Sequence, residues 1–254
     1  MSKYELLSVE SDAKTVKGND AGVLTGILYL APAMEADGVH DLCPKATDEC
    51  RQSCLYGAGM AAVFPTIKEA RIRKTLAYLA NPEAFVARLN RDIVKLRKEA
   101  RRRGMIPAVR INGTSDLPQL ARRIAQDNPD IQGYDYTKID RPWLRTLPNY
   151  HLTFSFSGEN LEACLEALDH DINVAVVFQG HLPVEWNGYR VIDGDESDLR
   201  FTDPVGVIVG LKAKGDARKL AAGGFVQLGA APAGERKLVG AELEAYLKTR
   251  FVGA

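Results

Sequence analysis

The sequence predicts an α/β protein, an incomplete or distorted (βα) barrel with mostly parallel strands. Three observations predict it. Beyond Gly104, short apolar runs recur, each ending in a polar cluster. Helical stretches fit between several of them, and strands alternating with helices at about twenty-residue steps argue for parallel βα units. The chain has 254 residues, about the usual size of a βα barrel. The gaps after Phe178 and Ile192 are too tight for comfortable helices, which is why the barrel is expected to be distorted.

The strands are read at Val23–Leu30, Ile106–Ile111, Gly133–Tyr136, His151–Phe156, Asn173–Phe178, Arg190–Ile192 and Val205–Leu211. Helices are expected at Pro118–Gln126, Arg141–Leu147 and Leu161–Leu168. Two more form a helical insertion at 66–104. Thr66 would cap the first, Asn81-Pro82 ends it and begins the second, and Gly104 stops that one. Phe85, Leu89, Ile93 and Leu96 give the second an apolar stripe at three- and four-residue spacing. The Gly- and Ala-rich stretch from Ala221 to Gly234 reads as loop, followed by a short helix near Ala241–Phe251. No domain boundary is evident, so 1–254 is read as a single domain. Within it lie a cysteine loop at 40–58, the basic helices at 66–104, βα units over 105–215 and a loop-rich end at 216–254.

Composition excludes several classes. With 46% hydrophobic and 26% charged residues the chain is neither disordered nor fibrous. Its longest apolar stretch, Val23 to Ala33, contains Thr25, Gly26 and Pro32 and falls short of the roughly 20 residues of a membrane span. The start of the chain lacks the apolar core of a secretory signal, so a reducing cytoplasm is expected and no membrane partner. Net charge is zero, with 33 basic and 33 acidic residues. It is unevenly spread, since between Thr66 and Gly104 twelve Lys or Arg stand against four acids. That stretch is either a solvated helix surface or a patch for nucleic acid or another acidic partner.

In a reducing compartment, clustered thiols bind metal or do redox chemistry more often than they form disulfides. Cys43, Cys50 and Cys54 follow a Cys-x6-Cys-x3-Cys spacing. If Thr47 caps a helix in which Cys50 is the third residue, Cys50 and Cys54 share a helix face while Cys43 lies on the entering loop. The three are the candidate metal ligands. Thiolates select zinc, Cu(I) or iron–sulfur clusters, and structural zinc usually wants four ligands in paired short spacings, which are missing. Cys164, about 110 residues away, reads as a buried helix residue, and His40 as a surface histidine. Three cysteines without a fourth suit a four-iron cluster that leaves one iron for another ligand. Zinc, or reduced redox-sensing thiols, are the alternatives.

In βα barrels the active face gathers residues just past the strands' carboxyl ends. The candidate catalytic residues are therefore Asn112, Asp116, Asp135, Tyr136, Lys138, Lys212 and Lys214, with Ser155, Ser157, Asp193 and Asp195 as cofactor-binding candidates. Each has a plainer reading. Asn112 to Pro118 is good turn and cap chemistry, Asp193-Gly194-Asp195 is a tight turn, and Tyr136 can be core. Collected at one rim, such carboxylates and ammonium groups would bind an anion or shift one another's pKa. No Gly-x-Ser-x-Gly elbow, Walker loop, Gly-x-Gly-x-x-Gly fingerprint or His-Glu-x-x-His motif is present.

Several blocks resemble a known family. They include Lys14-Thr15-Val16-Lys17-Gly18-Asn19, Ile27 to Pro32, Leu42-Cys43-Pro44, Cys50-x3-Cys54, Arg110 to Asp116, Tyr134 to Lys138, Phe154 to Ser157, Asp193-Gly194-Asp195 and Val209 to Gly215. Together they resemble the gene product eighty-eight family of tailed bacteriophages, in order from residue 14 to 215. The resemblance implies a protein made in an infected bacterium but supplies no reaction. More distantly, the order of strand, cysteine loop, helix and βα units is similar to radical S-adenosylmethionine enzymes, where three cysteines after the first barrel strand hold a four-iron cluster. Their spacing is Cys-x3-Cys-x2-Cys, and their Gly-Gly-Glu-like nucleotide contact has no counterpart after the second strand here. The likeness thus implies a cluster rather than S-adenosylmethionine.

The expectation is an iron–sulfur protein of the host cytoplasm doing redox or radical-type chemistry on a small molecule or nucleotide. The alternatives are a module binding nucleic acid or a host protein, and a zinc-stabilised structural protein.

Overall fold

The computed structural model describes residues 4–230 apart from Asp12, Leu55 and 57–62. The expected helix at 241–251 lies outside the described residues. Ten strands form one mixed sheet. They are β1 (Leu7–Val9), β2 (Val23–Leu28), β3 (Ile106–Arg110), β4 (Gln132–Thr137), β5 (Tyr150–Ser155), β6 (Val174–Gln179), β7 (Glu185–Trp186), β8 (Tyr189–Asp193), β9 (Ile208–Lys212) and β10 (Val226–Leu228). Their spatial order is β1-β2-β3-β4-β5-β6-β9-β8-β7, with β10 joining β6. Only the outer pairs β1–β2 and β7–β8 are antiparallel. The expected barrel is not formed, because the sheet stays open between β1 and β7.

Strands β2 to β6 follow one another in sequence and in space, so right-handed crossovers place the intervening helices on one face. On that face α4 (Pro82–Arg103) and α5 (Pro118–Asp127) pack on Leu24, Leu28, Val109 and Leu152, and α6 (Leu161–Asp169) packs on Phe154, Val174, Val176 and Phe178. The opposite face presents the alternate residues. Val23, Ala108 and Tyr134 meet Leu199 and Phe201 there, while Arg110, Tyr136, Ser155, Ala175 and Val177 border an open space nearer the strands' carboxyl ends.

The amphipathic reading of α4 holds. Phe85, Leu89, Ile93 and Leu96 are buried, Asn81 caps its start through Ala84 N, and Gly104 closes it in the left-handed region at φ 67°. Its partner α3 (Pro65–Ala80) starts two residues earlier than a Thr66 cap would place it, with Pro65 in the first turn and Phe64 as a cap without a side-chain bond, so Thr66 lies inside the helix. The expected helix at Arg141–Leu147 shrinks to a single 3-10 turn, Pro142–Leu144. Arg141 enters it at φ 57°, and Pro148 bars continuation. Unforeseen were β1, β7, β10 and α1 (Ala13–Asp20), all too short to show a period. Among the described residues no helix is long and apolar enough to cross a membrane.

Much of the basic charge at 66–104 is met by acids. Arg88 pairs with Glu5, Lys95 with Asp92, Arg97 with Asp130, and Arg103 with both Glu10 and Glu99. Asp92 also holds the chain's start, accepting the backbone N–H groups of Glu5 (2.7 Å), Leu6 (2.6 Å) and Leu7 (3.2 Å). It is fully buried. Asp92→Ala should lower stability by roughly 3 kcal/mol, because it strands several buried donors at once. Urea unfolding measures this, and an unchanged midpoint would show that β1 is held by other means.

Candidate functional site

After β2 the chain leaves the sheet at Tyr29 and runs through the cysteine loop before α3 begins. This loop is stapled across the carboxyl ends of the strands. Thr114 Oγ1 donates to Leu30 O at 2.5 Å, Asp116 N to Leu42 O at 2.8 Å, Lys45 pairs with Asp140 at 3.3 Å, and Thr47 Oγ1 donates to Ser157 O at 3.0 Å. The partners follow β3, β4 and β5 in turn. A fifth staple spans 176 residues of sequence, where Phe225 N donates to Glu49 Oε2 at 2.5 Å and fastens the loop to the turn entering β10. Gly158 lies at φ 95°, where a Cβ would come within 2.7 Å of Phe225 N, so this junction closes only around glycine.

Within the loop, Thr47 caps α2 (Asp48–Gln52) by accepting from Cys50 N, which makes Cys50 the third helical residue as expected. The expected shared helix face fails. α2 ends at Gln52 with Ser53 as its cap, so Cys54 lies past the helix rather than one turn along it. The backbone engages two of the sulfurs all the same. Tyr56 N donates to Cys54 Sγ at 3.5 Å, and the Cys43 thiol donates to Thr114 O at 3.8 Å. Ala33, at the start of the loop, holds a left-handed φ of 45°, uncommon for a residue with a Cβ.

Between the loop and the open sheet face lies a cavity of about 350 Å³. Cys43, Cys50 and Cys54 all line it, as do the predicted residues Asn112, Asp116, Tyr136, Lys138, Ser155, Asp195, Lys212 and Lys214. Loops that lie 170 residues apart in sequence therefore share one space. Three predicted residues do not line it. Ser157 is taken up by the loop and by Asn160, and Asp193 stands on the rim, paired with Lys212 at 2.9 Å. Asp135 alternates with Tyr134 and Tyr136 and so faces the helices. It is fully buried, accepting from Asn112 N at 2.7 Å and from the Tyr150 hydroxyl at 3.3 Å. Its work is structural: it ties the end of β3 to β4.

The bland reading of the Asn112 turn is half correct. Its Oδ1 accepts from Leu117 N at 2.8 Å and from the Ser115 hydroxyl at 3.1 Å, while its buried Nδ2 has no partner. Asp116 is similar, with Oδ2 accepting from Lys138 N at 2.7 Å and Oδ1 buried and unpartnered. Burial raises the Asp116 carboxyl above the usual range against the pull of Lys138. Burial also pushes the Cys43 thiol up to about 12 and raises Cys54, with Lys138 and Arg71 pulling the latter down. As expected, Cys164 is buried in α6, and His40 is exposed, bonded to Asp37 at 2.6 Å. Among the described residues no group of three or more His, Cys, Asp or Glu converges tightly enough to hold a single metal ion.

Sequence reasoning missed Arg110, Asp198 and Phe225, which also line the cavity. Arg110 carried a signal: it is a charged residue within an otherwise apolar strand run, Ile106 to Ile111.

These features define an open-sheet α/β protein whose thiol-lined cavity opens at the carboxyl edge of its parallel strands. The chain belongs to the Gene product 88 family of phage proteins, whose family model matches residues 5–227. No curated protein and no solved structure matches it. The distant likeness to radical S-adenosylmethionine enzymes thus gains no support.

Burial holds the Asp135 carboxyl up to about 7, against opposing pulls from Arg110 and two backbone N–H groups. The folded state therefore binds a proton there that the unfolded chain, with an ordinary aspartate, releases near pH 4. Its contribution to stability is complete below about pH 4 and is lost as pH rises through about 7. Chemical denaturation from pH 4 to 8 should show the wild type losing stability relative to Asp135→Asn by an amount on the order of a few kcal/mol. Parallel profiles for the two proteins would remove Asp135 as a buried acid.

Proposed function

We propose that Cys43, Cys50 and Cys54 hold an iron–sulfur cluster of the four-iron type at the cavity wall. The protein would use it for redox or radical-type chemistry on a small molecule or nucleotide in the cytoplasm of the infected host. One observation carries this reading: three thiols from a single loop line one cavity, and one of their sulfurs, Cys54 Sγ, accepts a backbone N–H from Tyr56. Hydrogen bonds to sulfur stabilise cluster thiolates and tune their potential.

The donor set fits such a group. Thiolates are soft ligands that suit iron–sulfur clusters. A cluster separates its thiolates by its own width, so the sulfurs need not crowd to single-ion distance. Zinc wants four close ligands, and the two further candidates are committed elsewhere, Cys164 to the helix core and His40 to Asp37.

When bound, a cluster supplies one-electron transfer. The chain's own residues have separate tasks. Asp116, its carboxyl raised by burial, leaves Oδ1 without a partner at the cavity, and Lys138 balances the negative charge that thiolates bring. Phe156, Leu211 and Phe225 exclude water from one side. No observation favours nucleic acid at the basic helices, because acids from neighbouring segments pair with much of that face.

Anaerobic purification followed by iron and sulfide analysis tests the reading. The wild type should carry about four of each per chain with broad visible absorbance. Cys43→Ala, Cys50→Ala and Cys54→Ala should each lose most of it while Cys164→Ala keeps it. Colourless, iron-free wild type would refute the cluster, and equimolar zinc without iron would put a structural metal in its place.

A further inference from the structure

We propose that the cavity is an anion site in which Arg110 anchors a carboxylate or phosphate group of a small organic ligand. Arg110 ends β3 with its side chain on the open sheet face, where it lines the cavity and is 7% exposed. Its guanidinium stacks on the Tyr136 ring at 4.8 Å. Its Nε is buried without a hydrogen-bond partner, and among the described residues no carboxylate pairs with it. A ring face attracts a cation but leaves its charge in place. An isolated charge buried away from water is strongly unfavourable unless a counter-charge accompanies it.

The fold supplies that counter-charge elsewhere. Arg200, 1% exposed, has Asp203 at 3.3 Å. Nothing comparable stands beside Arg110. Asp135 is on the far side of β4 and is engaged by Asn112 and Tyr150, and Asp198 lines the cavity without an ion pair to Arg110. Around Arg110 the wall offers donors. Asn112 Nδ2 is buried and unpartnered, and the Lys138 ammonium lies 5.7 Å from the Phe225 ring and forms no ion pair with the described residues. A planar guanidinium, an amide N–H2 and an ammonium are the donor set that recognises an oxyanion with several acceptor oxygens. The apolar surface of Val177, Leu211 and Phe225 would accept the body that carries it.

None of these donors is sulfur, so the inference stands whether or not the thiols hold a cluster. The full-length protein is melted in inorganic phosphate, in succinate and in chloride at matched ionic strength and pH. Phosphate, succinate or both should raise the wild-type Tm by a few degrees over chloride, and the more effective probe identifies the group. Lys219→Ala, a surface change outside the cavity, should keep the full shift. Arg110→Gln should melt no lower than wild type in chloride, because a buried unpaired charge has been removed, and should lose the shift. Arg110→Lys keeps the charge without the planar fork, so its shift should be reduced, and it serves if the Gln variant fails to fold. A wild-type Tm indifferent to both anions, or a shift that survives intact in the Arg110 variants, would overturn the proposal.

Discussion

A strand has two hydrogen-bonding edges, and β6 divides one of them between two partners. Its pairing with β9 runs from Val174–Ile208 to Phe178–Lys212 and fills one edge. On the other edge β5 pairs only at Val174 and Ala175, and β10 takes Val177 to Gln179. Strands β5 and β6 must therefore part towards their carboxyl ends, with β10 entering the wedge between them. The cavity lies beside this split, and Phe156, Ala175, Val177 and Phe225 border it. The turn entering β10 is the one that Glu49 grips, so the cysteine loop is fixed by the same departure from regular pairing.

Elements long enough to repeat a pattern were legible in the sequence. α4 announced itself by its apolar stripe, by Asn81-Pro82 and by Gly104, and each central strand was found to within a few residues. What escaped was set by tertiary contact. β10 was hidden in a Gly- and Ala-rich stretch because three residues cannot show a period, and its pairing depends on the gap that β5 leaves. The end of α2 before Cys54 was equally hidden, since Thr47 marks where a helix starts and no residue there marks where it stops. At the site, the rule that polar residues past strand ends gather at one rim placed most candidates in the cavity. It failed at Asp135, which belongs to the strand itself and follows the strand's alternation to the helix side. Arg110 escaped for the converse reason: within the strand, its alternation carries it inward.

The two walls of the cavity set opposite electrostatic demands. Thiols lie on the loop side, and deprotonating them to bind metal would add negative charge to a buried space. On the sheet side Arg110 already supplies positive charge without a partner, and Lys138 lies between, acting on both Cys54 and Asp116. In a low-dielectric space such charges are felt at longer range than in water. A cation beside the thiolates eases their ionisation, and their charge in turn relieves the isolation of the cation. It does so at a distance, however, and it leaves the hydrogen-bond capacity of the guanidinium fork unfilled. Only acceptor oxygens brought within reach of Arg110 and Asn112 satisfy both the charge and the donors. A cluster and an oxyanion would therefore answer different deficits of one cavity, and loading either should leave the requirement for the other in place.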